Sequence, residues 1–478
     1  MPPATILLVN TNRMRPPIAP LALDYLGAAL RVEGHQVRLL DLCWAEDANR
    51  AACRAFAEGR PDLVALTFRN TDDCYFASRA SFVDVLRADI DLIRQHYDGP
   101  IVVGGCGFSL MPTLLLDHAG ADYGVRSDGE PALGPLLDAL QGGPLLAQVP
   151  GLVYRHDGAW RKNPPGRAVL ERLSLAARDV VDNRAYFAQG GQVGIETKRG
   201  CPGRCIYCAD PVVKGHTPRL RPPADVVAEI RCLLAQGVDC LHLCDSEFNL
   251  PEAHAIAVCQ AILGAGLQDR VRWYTYAAPV PFSRELAALM RRAGCVGVNF
   301  GADSGNDRML AALGRDHRAR DLAETARVCR QAGLVFMYDL LLGAPGETPQ
   351  SVAETIALMK HLSPDRVGIS LGVRVYPGTR LARQLAASPG DCGLIGNPAS
   401  LEPSFYLSPA LGPDAAGLVR DLVGDDARFF LPAIGGTQDY NYNDNAVLVH
   451  AIAAGHRGAY WDILRRLQAG LPPLSHLG

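Results

Sequence analysis

The sequence predicts an α/β protein in three parts: an N-terminal doubly wound parallel sheet, a partial (β/α)6 barrel of the TIM type, and a mostly helical C-terminal segment. Three observations carry this. Short, nearly continuous apolar runs alternate with amphipathic stretches through residues 5–150, the pattern of parallel strands covered on both faces. The alternation resumes at Val193 and supplies six strand–helix units, short of the eight strands of a closed barrel. Beyond residue 385 it gives way to Pro/Gly loops and one clear final helix, GAYWDILRRLQ (458–468). The parts are read as 1–150, a hairpin and linker at 151–190, 191–385, and 386–478.

In the first part ILLVN (Ile6–Asn10) reads as a buried strand. Leu21, Tyr25, Leu26, Ala29 and Leu30 then recur at helical spacing, with Gly34 placed to end the helix. Further strands are Gln36–Leu42, Asp62–Phe68, Pro100–Gly105 and Ala121–Val125. The barrel strands are VGIETK (193–198), DCLHLC (239–244), RVRWYTY (270–276), VGVNFG (296–301), LVFMYDLL (334–341) and RVGISLGV (366–373). Both architectures place ligands at the carboxyl ends of their strands.

At about 150 residues per domain, 478 residues suit about three domains. Apolar residues at 48% and charged residues at 20% exclude a disordered chain. A net charge of −3 gives no basic footprint for nucleic acid. No apolar run approaches the ~18–20 residues of a membrane-spanning helix, and the start, MPPATILLVNTNR, does not read as a secretory signal. Fourteen cysteines in such a chain point to a reducing cytoplasm with some thiols on metal.

KRGCPGRCIYCADP (Lys198–Pro211) spaces Cys201, Cys205 and Cys208 as C-x-x-x-C-x-x-C just past the first barrel strand. Three thiolates in one short loop converge on one metal centre. On a four-iron cluster they leave one iron open; a structural zinc with His216 as fourth ligand is the competing reading.

This triplet and its setting resemble the radical S-adenosylmethionine superfamily. The resemblance implies a [4Fe-4S] cluster whose open iron is chelated by S-adenosylmethionine. One electron, from a donor such as flavodoxin or ferredoxin, would cleave the sulfonium to methionine and a 5′-deoxyadenosyl radical. It also implies that Tyr207 lies by the adenine, and that Asp245 or Glu247 in CDSEFN meets an ammonium group. CDSEFN departs from the Gly-Gly-Glu of many members, which leaves the choice of carboxylate open. Asp303 and Ser304 in NFGADSGNDRML (299–310) match the ribose-binding stretch, although Asp303 alone also reads as a helix cap. LLGAPGET (341–348) is similar to the turn that passes the adenine, and VYPGT (375–379) follows the sixth strand.

The opening ILLVNTNRMRPPIAPLALDYLGAALRVEGHQVRLLDL resembles the Rossmann-like cobalamin-binding domain fused to many such enzymes. That implies a corrin on the sheet's C-terminal edge, facing the cluster, with its tail between sheet and helices. Gly104, Gly105 and Gly107 would let backbone approach the tail, and Thr67 would hydrogen-bond it. The D-x-H-x-x-G loop that supplies a cobalt-ligating histidine in other cobalamin enzymes is absent, NTNRMRPP standing in its place. Asn12, Arg13, Arg69 and Asn70 are candidates for the lower face. Arg69 is preferred, with pairing to Asp72 or Asp73 as its ordinary alternative.

The implied activity is cobalamin-dependent C-methylation of an unactivated carbon in a small-molecule secondary metabolite, with no nucleic-acid or membrane partner. Radical cyclisation, oxidation or rearrangement is the alternative. A methylthiotransferase with a second cluster is another, since Cys43, Cys74 and Cys106 follow successive strands but the first strand ends without a cysteine. A cobalamin or cluster sensor without turnover is the non-enzymatic reading. Tyr440, Tyr442, Asn443 and His456 are candidate substrate contacts in the tail. Cys232, Cys240, Cys244, Cys259, Cys295 and Cys329 read as packing.

Overall fold

The computed structural model describes residues 3–143, 145–172, 177–388, 390–431 and 442–474. Its first sheet contains β1 (Thr5–Asn10), β2 (Gln36–Asp41), β3 (Leu63–Thr67), β4 (Ile101–Gly104), β5 (Tyr123–Val125), β6 (Leu152–His156) and β7 (Ala159–Lys162). The order is β2-β1-β3-β4-β5-β6-β7, parallel through β5 and closed by the antiparallel β6–β7 hairpin. Ile6, Leu7, Leu8 and Val9 of β1 are all buried, as a central strand covered on both faces requires. The chain runs from β1 outward to β2 and back across to β3, so the loops after β1 and β3 diverge and leave a crevice at the C-terminal edge.

The second unit begins with β8 (Val193–Ile195), β9 (Lys198–Arg199), β10 (Arg219–Leu220), β11 (Cys240–Leu243) and β12 (Arg272–Ala277). It continues with β13 (Cys295–Asp303), β14 (Val335–Leu342) and β15 (Arg366–Leu371). After β16 (Val373–Arg374), β17 (Leu394–Ile395) and β18 (Phe405–Tyr406), which form a small antiparallel sheet, comes β19 (Phe429–Phe430). The open barrel is β8-β11-β12-β13-β14-β15-β19, all parallel. Six of its strands are those expected from the sequence. The seventh, β19, is two residues long and carries no periodicity. VGIETK ends early as a barrel strand, because Lys198–Arg199 turns away to pair antiparallel with Arg219–Leu220.

The tail closes the opposite end of the barrel from the cysteine loop. Helix Tyr460–Gln468 lies across the strand starts. Trp461 packs edge-on against Tyr274, whose hydroxyl donates to Asp462 at 2.8 Å. A side chain at Gly297 would strike Trp461 at 2.9 Å, and Arg366 donates to the Arg465 carbonyl at 3.4 Å.

Buried charge joins the two units. Arg178, in the linker, reaches Asp24 of helix Leu21–Val32 at 2.8 Å and Glu229 of helix Pro223–Ala235 at 2.6 Å. Arg221 takes the other Glu229 oxygen at 2.5 Å. The Tyr25 hydroxyl sits between them, donating to Glu229 at 3.0 Å and accepting from Arg221 at 3.1 Å. Two carboxylates and two guanidiniums balance, with Arg178, Asp24 and Glu229 side chains fully covered. Removing one partner leaves buried charge uncompensated, so R178A is expected to lower unfolding stability by about 3–5 kcal/mol. R31A, which loses only the exposed Arg31–Asp179 pair, is expected to cost at most about 1 kcal/mol. Urea denaturation of both variants checks the contrast.

Candidate cofactor site

The β9–β10 ladder pinches off residues 200–218 as one excursion at the barrel mouth. Gly200, at φ +95°, opens it where a side chain would strike the Thr217 carbonyl at 2.4 Å. The Cys201 N–H donates to the Gly215 carbonyl at 3.0 Å and the Ile206 N–H to that of Leu313 at 2.9 Å. A Cβ at Gly203 would lie 3.2 Å from the Cys201 sulfur and 3.8 Å from that of Cys205, so glycine keeps the space between the two sulfurs clear. Arg315 donates to the Cys205 sulfur at 3.0 Å. Burial pushes the thiols of Cys201, Cys205 and Cys208 up, a penalty that metal ligation removes. Among the described residues no three His, Cys, Asp or Glu side chains converge as one ion would require. Three cysteines on one loop, with Gly203 keeping the space beside two of the sulfurs clear, are a donor set suited to three corners of a four-iron cluster.

Around the loop the expected residues divide by what they touch. Asp245 is buried and accepts from the Thr197 N–H at 2.8 Å, the Thr197 hydroxyl at 2.5 Å and the Lys198 N–H at 3.2 Å. It braces the approach to the cysteine loop. Glu247 keeps its carboxylate toward the mouth, 3.9 Å from Arg315, and burial pushes it up to about 7. Asp303 stands at an irregularity of β13 with φ +60°, an uncommon conformation for a side-chain-bearing residue. It accepts from the Tyr207 hydroxyl at 2.6 Å and lies 3.4 Å from Arg315. Ser304 turns inward, its hydroxyl 3.0 Å from that of Thr355 and accepting from the Asn306 N–H at 3.1 Å. The cap of helix Asp307–Leu313 is Asn306, not Asp303. Arg315, which ties Cys205, Asp303 and Glu247 together, was missed from the sequence; a lone Arg after a helix-ending glycine gives little signal.

Across the mouth stands the C-terminal edge of the first sheet. Arg69 is exposed and, among the described residues, donates only to the Met14 sulfur at 3.9 Å. Asp72 is taken by Arg374 at 2.8 Å and by Thr71 at 2.7 Å, and Asp73 by Ser78. Arg69 therefore does not make the carboxylate pair that was its alternative. Its charge is felt at His242, Cys244 and Tyr276 on the barrel. Arg13 instead pairs with Asp89 at 2.6 Å. Thr67 accepts through its carbonyl from Thr11 at 2.7 Å. Gly104 leaves room, since an added Cβ would meet nothing nearer than the Val125 carbonyl at 3.6 Å. Gly105 is required by the protein itself, at φ +106° with the Phe68 carbonyl 2.6 Å from an added Cβ, and Gly107 closes on Asn70 at 3.0 Å.

Cys74, Cys106 and Tyr276 have open surface, yet surrounding protein pushes all three up, Cys74 and Tyr276 to about 12. Cys74, with Tyr75, Phe76 and Ala77 of the loop after β3, lines a cavity between the two units whose other wall is Ile369, Ser370 and Leu371 of β15. Cys74 is tied across it to the Tyr376 hydroxyl at 3.0 Å, while Cys43 is buried under Arg15 at 3.1 Å. These two are thus held by different partners. Cys240, Cys259, Cys295 and Cys329 are buried packing residues, and Cys232 and Cys244 are half-buried. In the tail, Tyr442 packs against Tyr460 and His456 is buried; Asn443 is half-buried, and Tyr440 lies outside the described residues.

A three-cysteine loop at the mouth of an open parallel barrel, facing the C-terminal edge of a doubly wound sheet, is the arrangement of a radical S-adenosylmethionine enzyme with a second cofactor domain. Residues 195–359 match the Radical SAM superfamily and residues 8–137 the B12 binding domain. The chain is 33% identical to tryptophan 2-C-methyltransferase of Streptomyces laurentii over 97% of its own length and 96% of that protein. It superposes with a TM-score of 0.90, at 33% identity, on the radical S-adenosylmethionine methyltransferase TsrM of Kitasatospora setae, solved with tryptophan and an S-adenosylmethionine analogue; 98% of this chain and 99% of that one are covered. The cobalamin-dependent radical enzyme OxsB shares the fold, with a TM-score of 0.71 at 17% identity over 87% of this chain and 65% of that one. The chain belongs to the cobalamin-binding radical S-adenosylmethionine methyltransferases.

Two outcomes follow for the loops. Ala at Cys201, Cys205 or Cys208 is expected to abolish cluster-bound iron, measured by iron and sulfide content after anaerobic reconstitution. G105A is expected to destabilise the apoprotein by roughly 1–3 kcal/mol, and G104A by no more than about 0.5 kcal/mol, read from thermal melts.

Proposed function

We propose that the chain transfers a methyl group from S-adenosylmethionine to a ring carbon of a small aromatic substrate, with tryptophan the first acceptor to test. The likeness that supports this runs end to end and so includes both cofactor units and the tail. The relative's name sets the methyl on carbon 2 of tryptophan, which favours an electron-rich aromatic carbon over the unactivated carbon expected from the sequence. When bound, the cluster supplies electrons and an open iron for S-adenosylmethionine, and cobalamin supplies a carrier for the methyl group.

The chain's own residues would bind and orient. Cys201, Cys205 and Cys208 hold the cluster, with Arg315 favouring the thiolate at Cys205. Glu247 offers its carboxylate to the ammonium of S-adenosylmethionine. Asp303, held by Tyr207, offers acceptors to ribose hydroxyls, while the Tyr207 ring flanks the adenine. Asp245 and Ser304 position these residues from behind. On the facing sheet Arg69, Gly104 and Thr67 would hold the cobalamin, Arg69 as a cation beside the corrin and the other two beside its tail. The buried ionic contacts hold the two halves together and keep bulk water from the reacting groups.

The electrons would come from a small donor of the flavodoxin or ferredoxin kind, in a reducing cytoplasm where the fourteen free thiols would persist. Among the described residues no helix is long and apolar enough to cross a membrane.

Anaerobic reconstitution with iron, sulfide and cobalamin, followed by reductant, S-adenosylmethionine and L-tryptophan, tests the reading. S-adenosylhomocysteine and methylated tryptophan are expected in equal amounts. Deoxyadenosine without S-adenosylhomocysteine would replace methylation with rearrangement or cyclisation. About eight irons per chain without cobalamin would replace it with methylthiolation.

A further inference from the structure

The interior of a parallel barrel is ordinarily filled by branched apolar side chains. Here the strand starts are filled by Tyr274 and the tail's Trp461, but one layer nearer the cluster four adjacent strands turn polar. Tyr276 shares the inward face of Tyr274, two residues along β12. The His242 ring on β11 lies 5.0 Å from it. On β13 and β14 Asn299 donates through Nδ2 to Asp339 at 2.6 Å. Two residues beyond Asn299, the Gly301 carbonyl accepts from Arg315, which also donates to Cys205. The polar layer therefore lies directly beneath the cluster loop.

This layer is not packed shut. Tyr276 is 45% exposed, although it stands on a central strand. Asn299 is only 4% exposed, and its Oδ1 has no hydrogen-bond partner among the described residues. A buried acceptor without a donor is costly and points to an N–H or O–H that arrives with a ligand.

We propose that this layer is the acceptor pocket, with Tyr276 and His242 forming a face for a planar aromatic ring, and Asn299 with Asp339 receiving the N–H groups of a cationic amine. The class selected is an aromatic amino acid or arylalkylamine. The proposal rests on the methyltransferase reading above and adds the residues that set its specificity. Burial pushes His242 down to about 4, so it is neutral at physiological pH and does not repel the cation. A neutral ring bearing no amine gains only the stacking face.

The test measures affinities of the reconstituted holoenzyme for L-tryptophan, tryptamine and the neutral 3-ethylindole, by calorimetry. The wild-type protein is expected to bind the two amines about 10-fold or more tightly than 3-ethylindole. D339N is expected to reduce that preference to about 2-fold or less, while Y276A weakens all three ligands alike. Iron and cobalamin content of each variant reports on folding, and the wild-type analogue series needs no variant. A wild-type protein indifferent to the amine, or a folded D339N that keeps the preference, overturns the pocket. If amines are preferred but no S-adenosylhomocysteine forms, the pocket stands and the methyltransferase reading falls; S-adenosylhomocysteine without amine preference gives the reverse.

Discussion

Two sheets that must present their C-terminal edges to each other across a cavity are held there by buried charge. Arg178 bridges Asp24 of one unit and Glu229 of the other, with Arg221 and Tyr25 completing the set. In low dielectric such a set tolerates little rearrangement, because separating any pair exposes an uncompensated ion. Apolar packing alone would let the units slide. The directional contacts specify one orientation, and the second tie, Asp72 to Arg374, fixes the loop after β3 against the end of the barrel.

That fixed geometry gives the cavity walls their unequal character. The cluster side is arranged around Arg315, which meets Cys205, Asp303 and Glu247 from one position. The facing edge carries Arg69 without a carboxylate partner among the described residues. A cation left open at a crevice, opposite buried thiols and a left-handed Asp303, suits binding more than stability. Asp303, at a positive φ, and Asn299, whose Oδ1 has no hydrogen-bond partner among the described residues, both stand on the cluster side.

Most of the architecture was legible because parallel strands buried on both faces leave apolar runs in the sequence. The cysteine spacing was legible because three ligands in one loop need no tertiary information. The remainder depends on side-chain direction. Asp245 and Glu247 are two residues apart, and only the fold shows that one grips backbone while the other faces the mouth. Ser304 and Asp303 are neighbours that point to different surroundings. Arg178 sits in a linker with no pattern, and β19 is too short for one. The polar layer did leave a trace: His242, Asn299 and Asp339 each interrupt an otherwise apolar strand in LHL, VNF and YDL. Each is ordinary alone, and their meeting depends on the register of four strands.

If both cofactors share one cavity between the two sheets, their electron spins must interact. Electron paramagnetic resonance on the holoenzyme, reduced so that cob(II)alamin and the cluster are both paramagnetic, tests it directly. A cob(II)alamin spectrum broadened by dipolar coupling to the cluster is expected, with the broadening lost in C205A. A cob(II)alamin spectrum identical in wild type and C205A, with both cofactors bound to the wild type, would contradict it.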